Sequence, residues 1–255
     1  MSLEDLDGRV VIITGAAGGI GSALARALAG RGARLVLLDR AAGPLAALAA
    51  ELAEGVPEGV PGAEVLPIVC DVCSEEEMAG MASRTLEVFG RIDALVTTAA
   101  ILRAGSGMRT LAQTGFAEWR RIIDVNLTGV FLANRAVLPA MLAARRGDII
   151  NLSSTSGRQG RAFDGPYSAS KAGIIGLSEA LSEEVAREGI RVQTLLPDAV
   201  DTGLWDQAGG SALKPRHMLS PARVAEVIVY LLTLPRDTYL LNSVLSPSPV
   251  RKRRE

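Results

Sequence analysis

The sequence predicts an α/β fold: a doubly wound parallel sheet of about seven strands, helices on both faces, in a single domain over residues 1–255. Three observations predict it. Short apolar, β-branched runs alternate with longer amphipathic stretches along the whole chain, the pattern of parallel strands joined by crossover helices. No repeat, low-complexity block or linker divides them. Residues 9–39, RVVIITGAAGGIGSALARALAGRGARLVLLD, read as strand, glycine turn, helix and strand, closing on an acid.

Residues 10–13 have the unbroken apolar character of a strand buried on both faces. Gly15, Gly19 and Gly21, with Ile20 among them, then make a turn that lets the backbone approach a pyrophosphate. The helix that follows carries the anion, since its first N–H groups are unpaired and its dipole is positive at that end. Ala23, Leu24, Ala27 and Leu28 form its apolar stripe. Residues 35–38 are the second strand, and Asp39, 24 residues after Gly15, stands where an acid accepts the adenosine ribose hydroxyls. The pattern predicts a Rossmann-type dinucleotide site, and a merely glycine-rich turn would lack the answering acid. NAD is the expected cofactor. Asp39 repels the 2′-phosphate of NADP, and Gly18 supplies no counter-charge, although Arg40 argues the other way.

Lys and Arg number 27 against 28 Asp and Glu, so no basic face is expected to bind nucleic acid. The basic terminal RKRRE reads as a frayed, solvated end. No run of 18 apolar residues predicts a membrane span, and MSLEDLDGRV has no secretory pattern. A cytoplasmic location is expected. Cys70 and Cys73 form a lone CxxC, read as two small structural residues, because a pair gives only two of the four ligands zinc usually takes and Glu75, Glu76 and Glu77 oppose a thiolate. No metal site is expected.

Further on, residues 45–52 read as helix, 55–62 as a turn and 64–70 as the third strand, followed by Asp71 and Val72. Ser74 and Glu77 cap a helix over 74–89. Residues 92–97 are the fourth strand and 103–115 a loop bordering the ligand crevice. A long helical segment over 116–145 is interrupted in character at Asn126, Gly129 and Pro139. Residues 148–152 and 190–196 are the fifth and sixth strands, 203–219 a flexible lid, 221–234 a helix and 239–245 the last strand.

Tyr167 and Lys171 stand four residues apart, which places both on one face of a helix. A free tyrosine titrates near ~10, and a fixed ammonium beside it favours the phenolate. Ser154 lies 13 residues earlier, at a strand end. With the glycine turn and Asp124-Val125-Asn126-Leu127, these residues resemble the short-chain dehydrogenase/reductase family over nearly the whole chain. The resemblance implies that Tyr167 exchanges a proton with an alcohol or ketone while hydride passes to or from nicotinamide. It implies that Ser154 holds the reacting oxygen, Lys171 lowers the Tyr167 pKa and binds the ribose, and Asn126 holds a water linking Lys171 to solvent. Asp71 and Val72 would meet the adenine, Ala99 would lie beside the nicotinamide ribose, and Pro197, Val200 and Thr202 match cofactor positions. Ala100 and Asp198 depart from the family's glycines.

The pocket is expected to be bordered by Arg103, Met108, Arg158, Phe163, Leu204, Trp205 and Lys214, which fits a small alcohol or ketone, and the protein is expected to form a homodimer or homotetramer. Two other functions fit the sequence less well. A nucleotide-sensing binding protein would not need the Asn, Ser, Tyr, Lys set. A serine hydrolase built on Gly176-Leu-Ser178 places its serine inside an apolar helix and has only His217 as a base.

Overall fold

The computed structural model describes residues 3–55, 62–104, 107–208 and 215–248. Residues 56–61, 105–106, 209–214 and 249–255 lie outside them, and with them most of the 55–62 turn, Lys214, part of the lid and the basic terminus. Seven parallel strands form one sheet: β1 (Val10–Thr14), β2 (Arg34–Asp39), β3 (Val65–Val69), β4 (Ala94–Thr97), β5 (Gly147–Leu152), β6 (Ile190–Pro197) and β7 (Ser243–Leu245). Their order is β3-β2-β1-β4-β5-β6-β7. The order reverses beside β1, whose Ile12 stands opposite Val36 of β2 and Leu95 of β4. A crevice opens at the carboxyl ends of strands at such a point.

Alternation along the buried strands supplies two cores. Val11 and Ile13 point to the side covered by α1 (Gly19–Ala29), α2 (Ala42–Glu54) and α7 (Pro221–Thr233), where they pack with Leu24, Leu28, Leu48 and Ile228. Val10 and Ile12 point to the other side, with Met78 of α3 (Glu75–Phe89), Val137 of α5 (Gly129–Ala144) and Leu181 of α6 (Gly165–Glu184). Ser74 caps α3 by accepting from Glu77 N at 3.2 Å, and Gly90 closes it in the left-handed conformation.

The expected long helix is divided. α4 (Phe116–Ile123) passes through one π turn, Asp124–Thr128, into α5. The 29-residue segment is apolar enough by length and composition to cross a bilayer, but Val130, Ala133, Val137 and Met141 are buried in the protein. The last strand is shorter than expected. Leu240 N is drawn to Gln193 Oε1 at 2.9 Å and Asn242 takes a positive φ of 56°, so the chain turns before it can pair.

At the amino ends of the strands an ionic cluster closes the sheet. The Asp148 side chain, 1% exposed, accepts from Arg9 Nη2 at 2.5 Å, Arg191 Nε at 2.7 Å and Arg236 Nη1 at 3.0 Å. Arg9 also donates to the Leu232 carbonyl, Arg191 to that of Leu234 and Arg236 to that of Gly189.

Candidate active site

The glycine turn leaves β1 at Gly15, whose φ is +66° and where a Cβ would stand 2.7 Å from the Ala99 backbone. A Cβ on Gly21 would meet the Gly15 carbonyl oxygen at 2.3 Å, so the turn and the first turn of α1 can be this close only without side chains. No side chain caps α1, and Gly18, Gly19, Ile20 and Gly21 line a cavity of about 310 Å³. Ser154, Tyr167, Lys171, Pro197, Val200 and Thr202 line the same cavity. Of the expected border residues, Leu204 and Trp205 do so too.

Asp39 lies outside that lining and braces the turn: its carboxylate accepts from Ala17 N and from Ala41 N, both at 3.0 Å. Asp71 Oδ1 accepts from Cys73 N at 2.9 Å, a bond that, with Arg121 and Arg40 nearby, holds its carboxyl below the usual range. Val72 packs against Gly129 rather than into the cavity, and Ala99 lies under Gly15. Arg103 lines an adjoining cavity of about 440 Å³ with Arg40, Arg121 and Gln207, and Met108, Arg158 and Phe163 line neither.

Asn126 sits in the π turn and is fully buried. It accepts from Ile101 N at 2.8 Å and donates to Ile101 O at 2.9 Å and to Ser170 Oγ at 3.1 Å. Its amide therefore ties the loop after β4 to α6 one turn from Tyr167. A π turn releases the regular backbone pairing, often at functional sites.

Ser154 lies two residues past the end of β5 and caps a short 3₁₀ turn, Thr155–Gly157, through a bond from Ser156 N at 3.1 Å. Lys171, 3% exposed, donates to Leu152 O at 2.8 Å, with its Nζ 5.7 Å from the Tyr167 ring centre. Burial lowers the Lys171 ammonium to about 7. Burial also pushes the Tyr167 phenol up to about 12, with Ser154 pulling the other way. In this environment the protein alone keeps Tyr167 protonated.

The two departures from glycine are accommodated without strain, since neither Ala100 nor Asp198 has a positive φ. Asp198 lines the cavity, and its Oδ1 accepts from Arg161 Nη2 at 2.6 Å and from Thr155 Oγ1 at 3.2 Å. Asp164, also in the lining, accepts from Arg103 Nη2 at 2.5 Å, and burial raises its carboxyl above the usual range. Arg161, Asp164 and Gln207 escaped the sequence reading. Arg161 and Asp164 fall between Ser154 and Tyr167, and that position was the available signal. Gln207 Oε1 accepts from Leu102 N at 2.9 Å and so fastens the 3₁₀ segment Gly203–Ala208 over the crevice.

The alternatives lose their geometry. Ser178 is fully buried, donates to Ile174 O at 2.7 Å and accepts from Asn151, while His217 is exposed. Cys70 and Cys73 are unpaired, and burial pushes their thiols up to about 12 and about 11. Among the described residues no cluster of His, Cys, Asp and Glu could hold a metal.

The family described as short chain dehydrogenase matches residues 9–211. A cis-4-hydroxycyclohexanecarboxylate dehydrogenase of Sinomonas cyclohexanicum is 37% identical over 230 residues, covering 88% of each chain. Among solved structures, an alcohol dehydrogenase from the archaeon Thermococcus sibiricus, complexed with 5-hydroxy-NADP, aligns with a TM-score of 0.84 and 29% identity over 97% of this chain and 100% of its own. NAD+-bound xylitol dehydrogenase aligns with a TM-score of 0.84 and 26% identity over 95% and 99%.

Proposed function

This chain belongs to the short chain dehydrogenase family, an oxidoreductase fold for nicotinamide cofactors, and from that premise we propose that it interconverts a secondary alcohol and a ketone with NAD, Tyr167 acting as acid and base. The observation that carries the proposal is the convergence of Ser154, Tyr167 and Lys171 on one cavity with the uncapped start of α1. The residues fit the cofactor: the close glycine cradle leaves space for a pyrophosphate that unpaired helix N–H groups would hold. Bound, the nicotinamide supplies the hydride donor or acceptor and, oxidised, a positive charge near Tyr167.

Ser154 holds the substrate oxygen, and Tyr167 gives or takes its proton. The Lys171 charge favours the phenolate and its Nζ holds the ribose, while Asn126 fixes the Ile101 backbone and supports a water path to Lys171. Gly15, Gly19, Ile20 and Gly21 cradle the diphosphate, Asp71 and Val72 border the adenosine side, Ala99 lies beside the nicotinamide ribose, and Pro197, Val200 and Thr202 border the nicotinamide. Gly203–Ala208, the described start of the expected lid, lies over the crevice of one catalytic domain.

The choice of NAD rests on Asp39 at the end of β2. Arg121 and Arg40, which would welcome a 2′-phosphate, are countered by Asp71, whose carboxyl they help hold down. The protein is proposed to work in the cytoplasm as a homo-oligomer that covers the exposed Phe116 and Phe131. The test is kcat/KM with NAD and NADP across a panel of secondary alcohols, for the wild type and for Asp39→Ala. The wild type should favour NAD by ~10-fold or more, and Asp39→Ala should move preference toward NADP. NAD binding without turnover on any alcohol would instead mark a nucleotide-sensing protein.

A further inference from the structure

The catalytic cavity holds two arginine–carboxylate pairs. Arg161 is bonded to Asp198 at 2.6 Å, and Arg103 reaches in from the adjoining cavity to Asp164 at 2.5 Å. Among the described residues that line the catalytic cavity, the charged groups are Arg161 and Lys171 against Asp164 and Asp198. Lys171 is turned to the Leu152 carbonyl. Asp198 stands where relatives of this kind are expected to have glycine, and its ordinary backbone conformation means that glycine is not needed there for the chain path. What the side chain adds is a carboxylate on the one arginine of the lining. Thr155 Oγ1 donates to the same oxygen, which anchors the pair to the 3₁₀ turn that carries Ser154.

We infer that Asp198 is a specificity-determining residue: by occupying Arg161 it leaves no unpaired guanidinium among the described residues that line the cavity, so the site selects neutral alcohols and ketones over carboxylates of the same shape. The inference rests on the alcohol–ketone reading of this site and names its substrate class. A carboxylate entering the cavity would lose its water, find Arg161 already paired, and face Asp164 and Asp198 at close range. Like charges in a partly desolvated site reject such a ligand more strongly than missing contacts do. A neutral ring or chain meets Ala100, Leu102, Leu204 and Trp205 instead.

The probes are 4-methylcyclohexanol and 4-hydroxycyclohexanecarboxylate, alike in shape and different in charge. Affinity for each is measured by calorimetry on the NAD-loaded protein, together with oxidation rates, for the wild type, Asp198→Asn and the double variant Asp198→Asn/Arg161→Gln, with melting temperatures to confirm folding. The wild type should bind the neutral probe at least tenfold more tightly. Asp198→Asn should improve carboxylate affinity at least tenfold by freeing Arg161, and the double variant should lose that gain. A wild type that binds the carboxylate as well as the neutral probe or that binds neither, an Asp198→Asn variant without gain, or a gain that survives loss of Arg161 would each overturn the inference. If the binding preferences hold while neither probe is oxidised, it is the proposed reaction on such alcohols that fails, and the charge selection stands.

Discussion

At the amino ends of β1, β5 and β6 the buried carboxylate of Asp148 meets three guanidiniums, and these in turn meet backbone carbonyls. At the carboxyl end of β5, Lys171 is just as buried but has a carbonyl where a carboxylate could have stood. The first arrangement compensates desolvation with opposite charge and holds the fold. The second leaves it uncompensated, so burial lowers the Lys171 ammonium to about 7 and pushes the Tyr167 phenol up to about 12. A buried ammonium whose solvation is only partly replaced gives up its proton more readily, as lysines at functional sites do. One sheet thus uses its two ends for different purposes.

This contrast can be broken by exchange of the readouts. Tyr167→Phe should lower kcat/KM by ~10²-fold or more while the melting temperature and NAD affinity stay close to the wild type, since a hydroxyl is lost only where a proton moves. Retention of more than about a tenth of the activity, a loss under ~1.4 kcal/mol, would remove Tyr167 from the acid/base role. At the opposite end, Asp148→Asn should cost about 3–5 kcal/mol of stability by leaving three arginines without their anion. A fall in melting temperature on the order of 10 °C is expected, with kcat/KM of the folded enzyme unchanged. A stable but inactive variant would mean that the two ends are coupled.

A third measurement sharpens the comparison. Because the folded-state pKa of Lys171, about 7, lies below its ordinary 10.5, the unfolded chain binds more protons between those values. Stability of the cofactor-free protein from this group is therefore lowest below pH ~7 and rises as pH increases toward ~10, by up to a few kcal/mol. Tyr167 opposes this only above pH ~10, since its folded pKa is raised. Lys171→Met should flatten the rise in denaturant titrations, and an unchanged slope would show that Lys171 stays charged. The smallest effect is expected at the cysteines: Cys70→Ser with Cys73→Ala should leave kcat/KM within about twofold, since the thiols are protonated and unpaired. A redox-dependent rate in the wild type would contradict this.

What the sequence made legible follows the range of the interactions. β1, the glycine turn, α1 and β2 are local and periodic, and they stand where residues 9–39 placed them. Tyr167 and Lys171 are one helical turn apart, so their shared face could be read directly. β7 was overextended because the bond from Leu240 to Gln193, 47 residues away, leaves no mark in a local pattern. Asn126 stood out through the resemblance of Asp124-Val125-Asn126-Leu127 to the family, but the π turn around it depends on contacts with Ile101 and Ser170. Asp198 was visible as a departure, and its effect was hidden because Arg161 lies 37 residues earlier. Asp148, the hub of the amino end, carried no local signal at all.

That hub also sets an order of events. Arg9 reaches Asp148 across 139 residues and Arg236 across 88, so the cluster closes only after the first and last parts of the chain have docked on the sheet. Loop closure over such spans is slow relative to helix formation and to neighbouring strand contacts. Interactions completed after the folding barrier govern how fast the native state is lost, not how fast it forms. The amino-end cluster is in this sense a kinetic clasp: as the chain is synthesised, Asp148 waits for Arg236, and once that last guanidinium has arrived it slows the opening of the sheet.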